Sequence, residues 1–263
     1  MDTLQALNNF YSNYDENGRL RSRHGMVEFL TTMRYIRKYL KPGMQIAEIG
    51  AGTGRYSHAL AQEGYPVNAV ELIEHNINIF RQMTQKGEPV TIRQGNAMNL
   101  GFFADESYDI TLLLGPMYHL YTEDEQIKAL TEAIRITKKG GVVFAAYCNN
   151  DATMIQYCFQ RDMIRLPRYQ RLIDFETFKA SSSPDELFQL YRKEDVDRLM
   201  QHFSTTRLHY IGTDLATNFM RESVDQMDDE LFELYLKYHF TICEREDMVG
   251  ATHHMLDVFR RDC

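Results

Sequence analysis

Three glycines, each two residues from the next, follow an acid in Glu48-Ile-Gly50-Ala51-Gly52-Thr-Gly54-Arg55. Glycine turns the backbone sharply and leaves no side chain between the peptide groups and a ligand. A helix starting just after such a turn directs unpaired N–H groups and a positive dipole end at that ligand. A second acid, Glu71, ends the run Pro66-Val-Asn-Ala-Val. A carboxylate at a strand end can accept both hydroxyls of a ribose. His119, in Gly115-Pro-Met-Tyr-His-Leu120, is a third chemical candidate. A neutral imidazole there could take a proton from a hydroxyl or a nitrogen. Alternatively it hydrogen-bonds its loop and shapes a pocket, and Tyr118 reads as packing.

The elements that must position these residues are legible from periodicity. Gln45–Ile49, Pro66–Glu71, Pro89–Arg93, Tyr108–Leu114 and Val142–Tyr147 read as strands. Arg55–Gln62, His75–Gln85 and Glu123–Ile136 read as the helices between them. Such alternation predicts βαβ units and a parallel sheet, with right-handed crossovers that place helices on both faces. Ahead of them, apolar residues at 26, 29, 30, 33, 36 and 40 predict a helix stopped by Pro42-Gly43. Thr206–Thr213 and Thr252–Arg261 read as two late strands, with a helix around Asp228–Cys243 between them. Residues 150–205, rich in aromatics and arginines, are too long for a plain connection and read as helices and loops covering the ligand end of the sheet. No internal repeat is present.

A dinucleotide turn wants a third glycine at position 55, where this chain has Arg55. The G-x-G-x-G pattern with Glu48 instead resembles motif I of the class I S-adenosylmethionine-dependent methyltransferases. The resemblance runs from about residue 45 to residue 147 and includes Gly95-Asn96-Ala97, where the family usually has Gly-Asp-Ala. The Asn96 amide oxygen can accept the same adenine hydrogen bond without charge assistance. The Gly-Pro-x-Tyr-His-Leu loop is similar to that of a small-molecule-type subgroup.

The resemblance implies S-adenosyl-L-methionine as cofactor and S-adenosyl-L-homocysteine as product. It implies cofactor contacts from Glu48, Gly50, Ala51, Gly52, Gly54, Glu71, Leu72, Asn96, Ala97, Met98 and Leu114. From the Tyr-Asp-Glu segment before the core it adds Tyr14 and Arg19, although that segment also reads as an amphipathic helix packed on a lid. The implied fold is α/β: a doubly wound, mostly parallel seven-stranded, Rossmann-like sheet with helical lid insertions. The expected organisation is an N-terminal helical lid segment over 1–44, the cofactor-binding core over 45–149, and a lid or substrate insertion over 150–205. The last two core strands lie in 206–263, with a helical insertion over 214–250. The implied activity is in-line methyl transfer to an oxygen, nitrogen or sulfur atom of a small molecule. The alternatives are an NAD-dependent oxidoreductase, disfavoured by Arg55 and the late strand pair, and a catalytically silent binding module.

Composition narrows the partners. Over 263 residues, 37 acids against 29 lysines and arginines give a net charge of −8, which disfavours a nucleic-acid ligand. No signal-peptide pattern and no bilayer-length apolar run occurs, so a cytoplasmic protein without membrane partners is expected. The cysteines at 148, 158, 243 and 263 show no C-x-x-C pairing and read as reduced thiols. His253 and His254 would point to opposite faces of a strand, so no metal site is expected. Oligomeric state leaves no trace in the pattern.

Overall fold

The structure is a computed structural model that describes residues 3–13 and 22–262. Eight strands form one sheet. They are β1 (Ile46–Ile49), β2 (Val67–Glu71), β3 (Val90–Gln94), β4 (Tyr108–Leu113), β5 (Thr137–Asn149), β6 (Leu190–Tyr191), β7 (Thr205–Gly212) and β8 (His254–Arg261). Their order is β3-β2-β1-β4-β5-β8-β7, with β6 beside the end of β5. β1 pairs parallel with β2 and with β4, and β8 runs antiparallel to both β5 and β7. The chain thus winds outward from β1 to β3, then returns to lay β4 against β1. A crevice opens where the winding reverses, and open α/β sheets bind ligands there.

The helices alternate with the strands as the periodicity predicts. They are α1 (Thr3–Tyr11), α2 (Arg23–Tyr39), α3 (Arg55–Gln62), α4 (Glu74–Met83) and α5 (Glu123–Ile136). Later come α6 (Asn150–Thr153), α7 (Pro167–Leu172), α8 (Lys193–Met200), α9 (Arg221–Asp225), α10 (Asp229–Ile242) and α11 (Glu246–Val249). β1 is buried along its whole length, as expected of a parallel strand covered on both faces. One face packs Ile46, Ile110, Val142 and Phe144 against Met33 and Ile36 of α2. The other packs Ala47, Ile49, Leu113 and Val143 against Leu130 and Ala133 of α5. α5 begins with a reciprocal cap, in which Thr122 and Glu125 each accept from the other's backbone.

Two features depart from the sequence reading. β5 begins at Thr137, earlier than expected, so Lys138 to Gly141 run within the strand; its register against β4 shifts between Tyr108 and Ile110. Within 150–205, the pair Leu190–Tyr191 joins the sheet as an eighth strand, parallel to Cys148–Asn149. Two residues are too few to show a period, so this strand left no alternation to read.

Candidate functional site

A cavity of about 1150 Å³ opens at the carboxyl ends of the central strands. Pockets for one small ligand typically occupy roughly 300–1,000 Å³, so this one has room for a second molecule. Its walls include Glu48, Gly50, Ala51, Gly52, Glu71 and Leu72 from the β1 and β2 ends. Asn96, Ala97, Met98, Leu114 and His119 join them from the loops after β3 and β4. Gly54 is not a wall residue; it lies behind the turn. Tyr14 and Arg19 fall outside the described residues.

The turn is glycine for steric reasons that can be named. Gly50 has φ +75°, and a Cβ there would sit 2.5 Å from Cδ of Pro116 in the loop after β4. Gly54 has φ +90°, and its Cβ would sit 2.4 Å from Cδ2 of Phe80 on α4. Only glycine satisfies both the left-handed backbone and the close approach. As N-cap of α3, Gly54 offers no side-chain cap to the helix's first amides.

The acids are fixed by the same turn. Glu71 is buried; it accepts from the Gly52 amide at 2.8 Å, the Ile73 amide at 2.9 Å and Asn76 Nδ2 at 3.4 Å. Burial raises its pKa, and those hydrogen bonds oppose the rise. Glu48 accepts a hydrogen bond from the Ser57 hydroxyl on α3. Burial pushes its pKa up to about 7 against the Ser57 hydrogen bonds, with a smaller upward contribution from Glu71. Asn96 Oδ1 accepts from the Met98 amide at 2.9 Å, which leaves the oxygen's second lone pair for a ligand.

Both ring nitrogens of His119 are engaged. Nδ1 lies 2.9 Å from the Leu187 carbonyl, which can only accept, so Nδ1 carries the proton. Nε2 then accepts from the Tyr11 hydroxyl at 2.9 Å. Burial lowers the His119 pKa to about 4, the Leu187 contact acting the other way, so the ring is neutral at pH 7. This geometry matches the loop-shaping alternative: His119 ties the loop after β4 to the lid segment and to α1.

Sequence reasoning missed Tyr11, which lies three residues before Tyr14. It also missed Glu28, Asp214, Asn218 and His254, which meet at the far end of the cavity. Asp214 is almost completely buried and accepts from the Thr252 hydroxyl at 2.6 Å and the His253 amide at 2.8 Å. It also accepts from Asn218 Nδ2 and from His254 Nδ1, the latter at 2.7 Å. Glu28 Oε2 lies 3.4 Å from the same His254 nitrogen. Burial alone would lower the His254 pKa, but Glu28 and Asp214 hold it well above the ordinary value. Burial would raise Asp214; His254 and the hydrogen bonds hold it well below the usual carboxylate range. Glu28, Asp214 and His254 present ligand atoms within 4.8 Å of one another. Both oxygens of the Asp214 carboxylate already accept from protein donors. His253 and His254 do diverge: His253 contacts Phe219 and Tyr157 instead. No spacing rule finds this cluster, because its members come from α2, the β7 end and the β8 start.

Comparison with known proteins agrees with the geometry. Residues 47–145 match the family described as "Methyltransferase domain". The chain is 24% identical over 192 residues to a ubiquinone biosynthesis O-methyltransferase of Stutzerimonas stutzeri, covering 70% of this chain and 79% of that protein. It is 31% identical over 106 residues to a demethylmenaquinone methyltransferase of Renibacterium salmoninarum, covering 40% of this chain and 41% of that one. Among solved structures, a SAM-dependent methyltransferase of Thermotoga maritima superposes with a TM-score of 0.59 at 17% identity, over 99% of this chain and 100% of that one. A methyltransferase of Haloferax volcanii, solved with its Trm112 activator, gives 0.61 at 17% identity over 97% of each chain. These superpositions show a shared Rossmann-like fold. Among the described residues, no helix is long and apolar enough to cross a membrane.

Proposed function

The chain belongs to the class I S-adenosylmethionine-dependent methyltransferases, and we propose that its cavity seats the methyl donor across the Gly50–Gly54 turn, Glu71 and Asn96. One observation carries this reading: the Glu71 carboxylate is tied to the Gly52 amide at 2.8 Å. The turn for the amino acid end and the acid for the ribose are therefore one preset unit. The Gly50, Ala51 and Gly52 backbone lies against the methionine portion, with Glu48 behind it and Gly54 setting the entry of α3. Leu72, Ala97, Met98 and Leu114 supply flanking walls, and Asn96 Oδ1 meets the adenine amino group. Tyr14 and Arg19 remain proposed lid contacts from the N-terminal segment.

Bound there, the donor supplies a methyl group made electrophilic by its sulfonium. The protein's part is to hold the acceptor in line and exclude water, and positioning of this kind contributes roughly 7–11 kcal/mol. Residues from 153 to 190 line the cavity together with Leu7 and Tyr11 of α1, so both segments act as its cover. His119 serves this cover as a positioning residue. The relatives named for ubiquinone biosynthesis and demethylmenaquinone support a small-molecule acceptor. The described cysteines, Cys148, Cys158 and Cys243, are free and buried, which supports a reducing compartment such as the cytoplasm.

Calorimetric titration of the protein with S-adenosylhomocysteine and, separately, with NAD tests this reading. The expected result is saturable binding of the former and none of the latter. Preferential binding of NAD, or no binding of S-adenosylhomocysteine, overturns it.

A further inference from the structure

The end of the cavity away from the glycine turn is built around one buried acid, Asp214, and the polar side chains that bond it. Asp214 Oδ2 accepts from Asn218 Nδ2, and Asn218 Oδ1 in turn accepts from Arg221 Nε at 2.8 Å. The same oxygen holds His254 Nδ1 at 2.7 Å. All four residues line the cavity. The network therefore runs Arg221–Asn218–Asp214–His254 through Oδ2, while Oδ1 accepts from the Thr252 hydroxyl and the His253 amide. Within this network Arg221 is the cavity-lining member whose terminal guanidinium nitrogens are left over, since Nε alone is bonded to Asn218.

Arg221 differs from Arg168 and His24 on the same cavity wall. Arg168 is paired with Glu186 and His24 with Asp225, whereas no ion pair to Arg221 is found among the described residues. Beside it, His253 is only 8% exposed, lines the same space, and its Nε2 has no hydrogen-bond partner among the described residues. A buried, unpartnered polar atom next to an unpaired guanidinium calls for a ligand group that can meet both. Glu28 is the acid on the opposite flank of His254, from α2, and Cys148 of β5 approaches the same ring. Flat walls complete the space: Tyr118, Tyr157 and Tyr169.

We propose that Arg221, with His253 beside it, forms an oxyanion-binding acceptor subsite, so that the methyl acceptor is a small ring compound carrying a carboxylate or a phosphate monoester. The proposal rests on the methyltransferase reading, because it assigns the glycine-turn end of the cavity to the donor. The guanidinium's planar fork takes two oxygens of the anion. The anion fixes the ring's far end, and the reacting atom is thereby presented toward the donor.

The test is calorimetry on the protein saturated with S-adenosylhomocysteine, using benzoate, phenyl phosphate and phenol as probes. At least one anion should bind at least tenfold tighter than phenol, and the tighter of the two names the anion. Arg221→Gln should weaken that anion by about 10- to 100-fold, the range for losing hydrogen bonds to a charged group, with phenol unaffected. Arg221→Lys should recover part of the loss. S-adenosylhomocysteine affinity should stay unchanged in both variants, which also reports that they fold. Phenol binding as tightly as the anions, binding of neither anion, or an Arg221→Gln effect below twofold overturns the subsite. Failure of the wild type to bind S-adenosylhomocysteine is a separate result that counts against the donor assignment.

Discussion

The carboxylate of Glu71 and the amide of Gly52 meet at 2.8 Å, joining the end of β2 to the turn after β1. The pair comes from adjacent parallel strands, and β1 and β2 are held in register as far as Ile49 opposite Val70. The two halves of the proposed donor site are consequently positioned by sheet pairing before any ligand arrives.

Removing that link should be felt in donor binding first. Glu71→Ala deletes the acceptor of two backbone amides and a ribose contact. S-adenosylhomocysteine affinity should fall by about 10- to 100-fold, since hydrogen bonds to a charged group contribute roughly 1.5–3 kcal/mol each. His119→Ala should leave it within a few-fold. Isothermal titration of both variants checks this; equal affinity in wild type and Glu71→Ala refutes the ribose assignment.

Gly50→Ala should damage stability and donor binding together. The new Cβ meets Pro116 Cδ at 2.5 Å on a backbone with φ +75°. A left-handed non-glycine residue costs about 1–2 kcal/mol, and overpacking typically adds about 1–3 kcal/mol. Urea unfolding should show a loss in that combined range. Because Pro116 opens the loop carrying His119, a shift of the loop should accompany it. Gly43→Ala has φ +84° but nothing within 4 Å, so it should show the backbone cost alone.

Asp214→Asn should be among the most destabilising single changes. It leaves the buried His254 imidazolium with Glu28 as its one remaining acid, and breaking one side of a buried pair costs up to about 3–5 kcal/mol. The pH dependence has a definite sign. Asp214 is held below its ordinary 3.8, so its contribution is present above that pH and lost as pH falls. His254 is held above its ordinary 6.5, so its contribution is present below that pH and lost as pH rises through the raised value. The stability gap between wild type and Asp214→Asn should therefore be widest between those two values and narrow in alkali. Urea melts across pH measure it.

His239 titrates in the opposite sense. Burial lowers its pKa from 6.5 to about 4, opposed by Asp214 and a backbone contact at Thr213. A neutral buried histidine stabilises the fold above its unfolded pKa and loses that contribution as pH falls through the folded one. Between pH 6.5 and 4, wild type should lose about 3 kcal/mol more than His239→Gln, at about 1.36 kcal/mol per pH unit. Parallel pH profiles of the two proteins would sink this assignment.

Much of the fold was legible because its signals are local. Arg55–Gln62 and Glu123–Ile136 have the bounds that periodicity predicts, and the remaining long elements differ by a few residues at their ends. Their ends carry readable stops and caps: glycine at 54 and the Thr122–Glu125 pair. The two-residue β6 was not legible, because it owes its place to pairing with β5 and not to any pattern of its own.

The sequence by itself determined the proposed donor end of the molecule. Glu48, the glycine turn and Glu71 lie within 24 consecutive residues, so short-range backbone constraints and one sheet pairing suffice to assemble them. The proposed acceptor end was decided by tertiary structure alone. Glu28, Asp214, Arg221 and His254 are spread over more than two hundred positions. They become neighbours only because β8 inserts antiparallel beside β5 and brings His254 opposite Cys148. The cause is long-range strand placement, which leaves no periodic trace in residue spacing, whereas a glycine turn writes its geometry directly into adjacent letters.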